Sequence, residues 1–248
     1  AAATENKIPV TITPGANSDS VAELAVGMML SLSRKLLEAD ADLKAGQFAR
    51  REHYEGVELG KKTVGILGLG RIGSRVARRC AGGFGMRVLA HDPFLSPSRA
   101  QALQVALVEL DELYARSDFI TLHVPRTDQT AGMIDGAALA KMKKGVRLLN
   151  CARGGIYNEQ ALVDGLKSGQ LGGVALDVFP SEPCTDSPLF QMPGVLCTPH
   201  LGASTEEAQA NVAVEAVGLL IDYFATGAIK SSVNASSLGP ATLEDLRR

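Results

Sequence analysis

The chain has 248 residues, 46% of them hydrophobic and 21% charged, with 26 glycines and no tryptophan. This is globular composition with a glycine surplus, and it excludes a disordered, collagenous or coiled-coil chain. A formal net charge of −2 supplies no chain-wide field for a phosphate backbone, which argues against nucleic acid as a partner. Cys80, Cys151, Cys184 and Cys197 form no C-x-x-C pair and have no histidine at zinc-finger spacing, so no metal site is expected. Sparse thiols in a chain of this length fit a reducing, cytosolic compartment. The opening AAATENKIPV lacks a leader pattern and no apolar run approaches the ~18 to 20 residues that span a bilayer, so no membrane partner is expected.

In chain order, SDSVAELAVGMMLSLSRKLLEADADLKAG predicts one long helix, with Ser20 and Glu23 as a capping box and Gly46 where it stops. TVGILG, residues 63–68, is a short β-branched run that breaks into GLGRIG, after which Ile72, Val76 and Cys80 recur at helical spacing. MRVLAH (86–91), DFITLH (118–123), VRLLN (146–150), GVALD (173–177) and VLCT (195–198) are continuous apolar runs of the kind buried on both faces of a parallel sheet. Helical segments fall between several of them, which predicts an α/β fold with a doubly wound, Rossmann-type parallel sheet. A closing helix is expected to start at Ser204, capped with Glu207, and to run through STEEAQANVAVEAVGLLIDYF. The Ser-, Gly- and Ala-rich remainder fits a return strand and a loose tail.

The three glycines Gly68, Gly70 and Gly73 would be a weak signal alone. They follow a buried strand and open a helix, which sets unhindered backbone N–H groups and a helix N-terminus where a pyrophosphate can sit. Asp92 ends the second strand, 19 residues beyond Gly73, where an acid can accept both ribose hydroxyls of an adenosine. A 2′-phosphate within about 4 Å of that carboxylate would meet repulsion of order 4 kcal/mol per unit charge at an effective dielectric near 20. Neither His91 nor Pro93 brings an arginine to offset it, so NAD is favoured over NADP.

GILGLGRIG, KKGVRLLNCARGGI, ALDVFPSEP and TPHLGAST, in this order and spacing, closely resemble the D-isomer-specific 2-hydroxyacid dehydrogenases, from about residue 8 to residue 235. Oxidising a 2-hydroxy acid needs a cation for the α-carboxylate and the C2 oxygen, and a base for the hydroxyl proton. Arg153 follows a strand end and precedes Gly154 and Gly155, beyond the carboxyl ends of the strands; by position alone it is an ordinary surface arginine, and the resemblance makes it the carboxylate clamp. His200 follows Pro199, and Glu182 stands 18 residues earlier, where a carboxylate on one imidazole nitrogen would fix the tautomer and raise the basicity of the other. The resemblance assigns Arg153, Glu182 and His200 as the catalytic set.

The resemblance further places Arg71 and Ile72 at the pyrophosphate, Asp92 and Pro93 at the ribose, His123, Val124 and Pro125 beside the adenosine, and Asp177 at the nicotinamide carboxamide. Cys151, Ala152, Gly202 and Ala203 would line the nicotinamide pocket together with Arg153 and His200. Cys151 is expected to contribute backbone and bulk, since no neighbouring His or Lys would activate its thiolate. Asn158 is expected to cap a helix, and His53 and His91 to be solvated or locally bonded. Arg50, Arg51 and His53 form the densest basic cluster near a predicted helix end, by default a solvated face. In family members with phosphorylated substrates, cations from this region approach the substrate of the neighbouring subunit, which makes Arg50 and Arg51 candidate phosphate contacts; Asn17 matches a substrate-side position and is a candidate substrate-side residue.

Within the family the resemblance is nearest to the branch that uses NAD to oxidise 3-phospho-D-glycerate to 3-phosphohydroxypyruvate in serine biosynthesis. A glyoxylate or hydroxypyruvate reductase, or another D-2-hydroxyacid dehydrogenase, is the alternative within the class; an NADH-binding transcriptional corepressor without turnover is the alternative outside it. The implied layout is a remnant of a smaller α/β substrate domain and crossover at 1–12, the NAD-binding domain including the first long helix at 13–204, and a crossover helix with the return to the substrate domain at 205–248. With so little of that second domain, the chain by itself is expected to turn over slowly or not at all. A homodimer or homotetramer through the cofactor domain is expected.

Overall fold

The computed structural model describes residues 2–235. The apolar runs become β1 (Thr63–Leu67), β2 (Arg87–His91), β4 (Phe119–Leu122), β5 (Val146–Asn150), β6 (Leu171–Leu176) and β7 (Val195–Cys197), with a two-residue β3 (Ala106–Leu107) between the second and third of them. All pair in parallel, in the order β3-β2-β1-β4-β5-β6-β7. The winding reverses between β1 and β4, and this switch point is where an open parallel sheet leaves a crevice at the carboxyl ends of its strands.

Burial on both faces explains why the strands read as unbroken apolar runs. Val64 and Ile66 of β1 join one buried cluster, with Met28, Met29 and Leu32 of α2 (Ser18–Arg34) and Val76, Ala77 and Cys80 of α4 (Arg71–Phe84). Leu67, next to Ile66, joins the other, with Ile120, Leu122 and Leu148 and with Leu113 of α6 (Leu110–Arg116) and Leu162 of α8 (Glu159–Ser168). Side chains alternate across a strand, so one run feeds two cores.

Three details depart from the sequence expectation. The first long helix is two, α2 and α3 (Leu36–Lys44), broken at Lys35, whose φ is +50°. The carbonyl of Ser33 accepts from Val57 N at 2.9 Å, so the returning chain takes an acceptor that a continuous helix would use. Ser20 lies inside α2 and not before it, whereas Gly46, φ +78°, follows α3 as expected. Thr205 caps α9 (Glu206–Thr226), accepting from Ala208 N at 3.1 Å, in place of Ser204.

The chain falls into two compact units. One is Val21–Gly202 and holds the whole sheet; the other takes the chain ends, up to Ser20 and from Ala203 onward, and includes Asn17, α1 (Ala2–Glu5) and α9. Within this second unit the expected return appears as a short antiparallel contact: Ile12 N donates to Ser231 O at 3.0 Å and Val233 N to Val10 O at 2.9 Å. The tail expected beyond it, residues 236–248, lies outside the described residues. No helix among the described residues is long and apolar enough to cross a membrane.

Candidate active site

β1 ends in Gly68, φ +86°, which only glycine adopts without strain, and a side chain there would also strike His123 O at 2.7 Å. Gly73, in the first turn of α4, packs so closely on the strand that a Cβ would sit 2.1 Å from Gly68 O. Gly70, the N-cap of α4, has nothing within 4 Å of a would-be Cβ. Two of the glycines therefore serve the fold, and the third keeps open space in front of a helix N-terminus, with Arg71 and Ile72 as the first two helical residues. An open cradle of free N–H groups at the positive end of a 14-residue helix fits the pyrophosphate of a dinucleotide. Asp92, with the exposed Pro93 after it, leans back over this loop. Its Oδ2 accepts from Leu69 N at 2.8 Å and its Oδ1 from Phe94 N at 3.0 Å, which leaves lone pairs for ribose hydroxyls.

His123 follows β4 beside Gly68. One ring nitrogen, Nε2, lies 3.0 Å from Thr121 Oγ1, while Nδ1 is buried with no partner among the described residues. Burial pushes its pKa down to about 4, so the imidazole is neutral near pH 7. Val124 is partly buried in the second core and presses its Cγ1 towards Gly68; the exposed Pro125 accepts from Thr130 Oγ1 at 2.7 Å.

On the other side of the switch point, Arg153 leaves β5 in a loop that Asn150 holds from both sides. Asn150 Oδ1 accepts from Ala152 N at 2.9 Å, and its Nδ2 donates to Arg153 O at 2.9 Å. Gly154 then passes against the loop after β6, where a Cβ would lie 1.8 Å from Phe179 O. In that second loop Phe179 N donates to Glu182 Oε1 at 2.9 Å, and Glu182 Oε2 lies 2.6 Å from His200 Nδ1. Burial alone would raise the pKa of Glu182. The hydrogen bonds from His200 and the Phe179 N–H, and the charges of His200 and Arg153, outweigh it and hold the carboxyl below its ordinary value. A carboxylate on Nδ1 leaves Nε2 of His200 as the nitrogen that can take up and return a proton. The His200 side chain is 52% exposed, so that nitrogen is open to a reactant. Beside the pair lies a largely apolar cavity of about 350 Å³, with Phe179, Pro183, Phe190 and Pro199 in its wall.

His200 has φ +57°, a conformation that costs a non-glycine residue about 1 kcal/mol. Asp177 stabilises it. This buried carboxylate accepts from Thr198 Oγ1 at 2.6 Å and Leu201 N at 2.7 Å on one oxygen, and from Gly202 N at 2.9 Å on the other. Cys151 and Ala152 are buried at the end of β5, and burial, with the charge of Asp177, raises the Cys151 thiol to about 12, which leaves it bulk and backbone. Asn158 caps α8, accepting from Ala161 N at 3.0 Å. His53 and His91 bond locally, to Arg50 O and Val108 O.

The structure thus gathers Arg153, Glu182 and His200 on adjoining loops. Arg50 is instead paired with Asp42 at 2.7 Å and Arg51 is exposed, and among the described residues no hydrogen bond or ion pair ties either to that set. Ala203 and Asn17 belong to the unit made of the chain ends. Sequence reasoning missed Asn150 and Thr198. Thr198 bonds across to Asp177, whereas Asn150 bonds two and three residues along its own loop, and a single sequence marks both only by polar residues at the ends of apolar runs.

Residues 26–202 match the model of the D-isomer specific 2-hydroxyacid dehydrogenase, NAD binding domain. The chain belongs to this family. Among the relatives of this dehydrogenase-family chain are the D-3-phosphoglycerate dehydrogenase of Synechocystis, 46% identical over 99% of the chain and 44% of the relative, and that of Mycobacterium leprae, 50% identical over 84% of the chain and 39% of the relative. The chain therefore spans less than half the length of these curated relatives. Among solved structures, the D-lactate dehydrogenase of Aquifex aeolicus, complexed with NAD and lactic acid, superposes with a TM-score of 0.84 at 30% identity, over 95% of this chain and 76% of that one. The Rossmann-type sheet and the NAD cofactor expected from the sequence are those of the family.

Proposed function

We propose that this chain forms the cofactor and proton-transfer half of a D-3-phosphoglycerate dehydrogenase, an enzyme that oxidises 3-phospho-D-glycerate at C2. The observation that carries the reading is the His200–Glu182 pair at 2.6 Å, set beside Arg153 beyond the carboxyl ends of the strands. The names of the relatives supply the substrate class.

In this reading NAD, when bound, accepts the hydride from C2. Gly70, Arg71 and Ile72 hold its pyrophosphate, Asp92 its ribose, and Cys151, Ala152, Gly202 and Ala203 the nicotinamide side. Arg153 clamps the substrate carboxylate through paired N–H donors and draws charge from the C2 oxygen. His200 Nε2 takes the hydroxyl proton, and Glu182 offsets the charge that the imidazole gains. Asp92 disfavours the 2′-phosphate of NADP by like charge. Arg50 and Arg51 are proposed as contacts for the substrate phosphate, Asn17 as a substrate-side residue, and a dimer or tetramer through the cofactor domain as the assembly; exposed Leu36, Leu37, Leu43 and Phe48 offer apolar surface for one. Four free thiols fit a cytosolic setting.

The test is NADH formation by the polypeptide carrying this chain, with 3-phospho-D-glycerate compared with D-glycerate and D-lactate. The reading expects the phosphorylated acid to win by kcat/KM. Preference for an unphosphorylated acid would move the function elsewhere in the family, and NADH binding without turnover of any of them would favour the corepressor class.

A further inference from the structure

The end of the sheet remote from Gly68 and Arg153 carries a second polar cleft. It forms where three neighbouring strands begin, and Lys62, Asp118, Lys143, Lys144 and Arg147 line a cavity of about 170 Å³ there. We propose that this cleft binds a small phosphate or phosphate monoester.

Four cations face one carboxylate, in a chain whose formal net charge is −2. That carboxylate is already used. Asp118 Oδ2 accepts from Thr63 N at 2.8 Å, and its Oδ1 pairs with Lys143 Nζ at 2.9 Å. Burial opposes ionisation of Asp118, but the Thr63 N–H, Lys143 and the charge of Lys62 hold its pKa below the ordinary value, so it stays charged, with one donor on each oxygen. Lys62 and Lys144 make no side-chain hydrogen bond or short ion pair among the described residues. Arg147 lies over the Phe119 ring at 5.5 Å, with its Nε buried and without an acceptor among the described residues. A guanidinium held against an aromatic face with unmet donors is costly unless an acceptor is supplied, and a concave site lined by one sign of charge concentrates counter-ions. The cavity is several times the ~30 Å³ share of a liquid water molecule, room for a tetrahedral anion with some hydration. Phosphate oxygens match both the planar fork of Arg147 and the point charges of the lysines.

The test is calorimetric titration of inorganic phosphate, and separately of glycerol 3-phosphate, into protein saturated with NADH so that the cofactor's own phosphate sites are filled. Ionic strength is held constant with sodium chloride. Beside any binding at the substrate-phosphate site proposed for Arg50 and Arg51, one saturable component of one anion per chain is expected, weakened about tenfold or more in the Lys62→Ala/Lys144→Ala double variant, with NADH affinity unchanged. Both lysines lie outside the core, so the variant tests charge without removing packing. Tighter binding of the monoester would assign an organic phosphate as the occupant, and equal binding would assign free phosphate. Heat that never saturates, or equal affinity in wild type and double variant, would overturn the site.

Discussion

Gly154 passes so close to Phe179 that a methyl on its Cα would lie 1.8 Å from the Phe179 carbonyl oxygen. This contact joins the loop that carries Arg153 to the loop whose Phe179 N–H binds Glu182, so two chain segments far apart in sequence set one electrostatic centre. Gly154→Ala cannot be absorbed by a rotamer change, because backbone meets backbone. It should lower unfolding stability by about 3 kcal/mol, read from the urea midpoint, and reduce turnover by separating Arg153 from the His200–Glu182 pair. Unchanged stability would show that the loops can part freely.

Asp177→Asn tests the hold on His200. The amide offers one oxygen where the carboxylate uses both, so one of Thr198 Oγ1, Leu201 N or Gly202 N loses its acceptor. A loss of about 2 kcal/mol in stability is expected, with faster hydrogen exchange at the Leu201 and Gly202 amides and a lower kcat. Exchange rates equal to wild type would remove Asp177 from the account of the loop.

Asp92→Asn keeps an acceptor for Leu69 N but removes the charge. NADPH should then gain on NADH by about tenfold or more in fluorescence titrations. An unchanged preference would mean that some other group excludes the 2′-phosphate.

His123 gives stability an acid-side slope. Its pKa falls from 6.5 to about 4 on folding because burial disfavours the charged ring. Between those values the unfolded chain binds the proton and the folded chain does not, so stability is lost as pH drops from 6.5 towards 4, by about 3 kcal/mol in total. Urea unfolding across that window should show the slope in the wild type and a flatter one in His123→Asn. Parallel slopes would place His123 in contact with water.

The strands and the glycine loop were legible because each has a local signature, apolar runs and a Gly-x-Gly-x-x-Gly spacing after a strand; Arg153, Glu182 and His200 stood out chiefly through motifs shared with the family, since by position alone Arg153 reads as a surface arginine. β3 was not, since two residues make no pattern. The break at Lys35 and the clamp at Thr198 depend on partners distant in the chain, Val57 for the first and Asp177 for the second, which no short window of sequence displays; the bonds of Asn150 stay within its own loop, marked in the sequence only by a polar residue that ends an apolar run. The cluster around Arg147 was quoted only as part of a motif. Its meaning comes from the parallel order of the sheet, which brings the starts of β1, β4 and β5 together.

In the proposed reaction His200, oriented by Glu182, moves the proton, while the glycine loop and Asp92 hold most of NAD and His200 only borders its nicotinamide. The most direct measurement is the rate of NADH formation from 3-phospho-D-glycerate by His200→Ala, beside the NADH dissociation constant of the same variant, in the polypeptide carrying this chain. Turnover is expected to fall by about a thousandfold, far more than NADH binding, which should weaken by less than about tenfold because His200 only borders the nicotinamide. Turnover at the wild-type rate would contradict that role of His200.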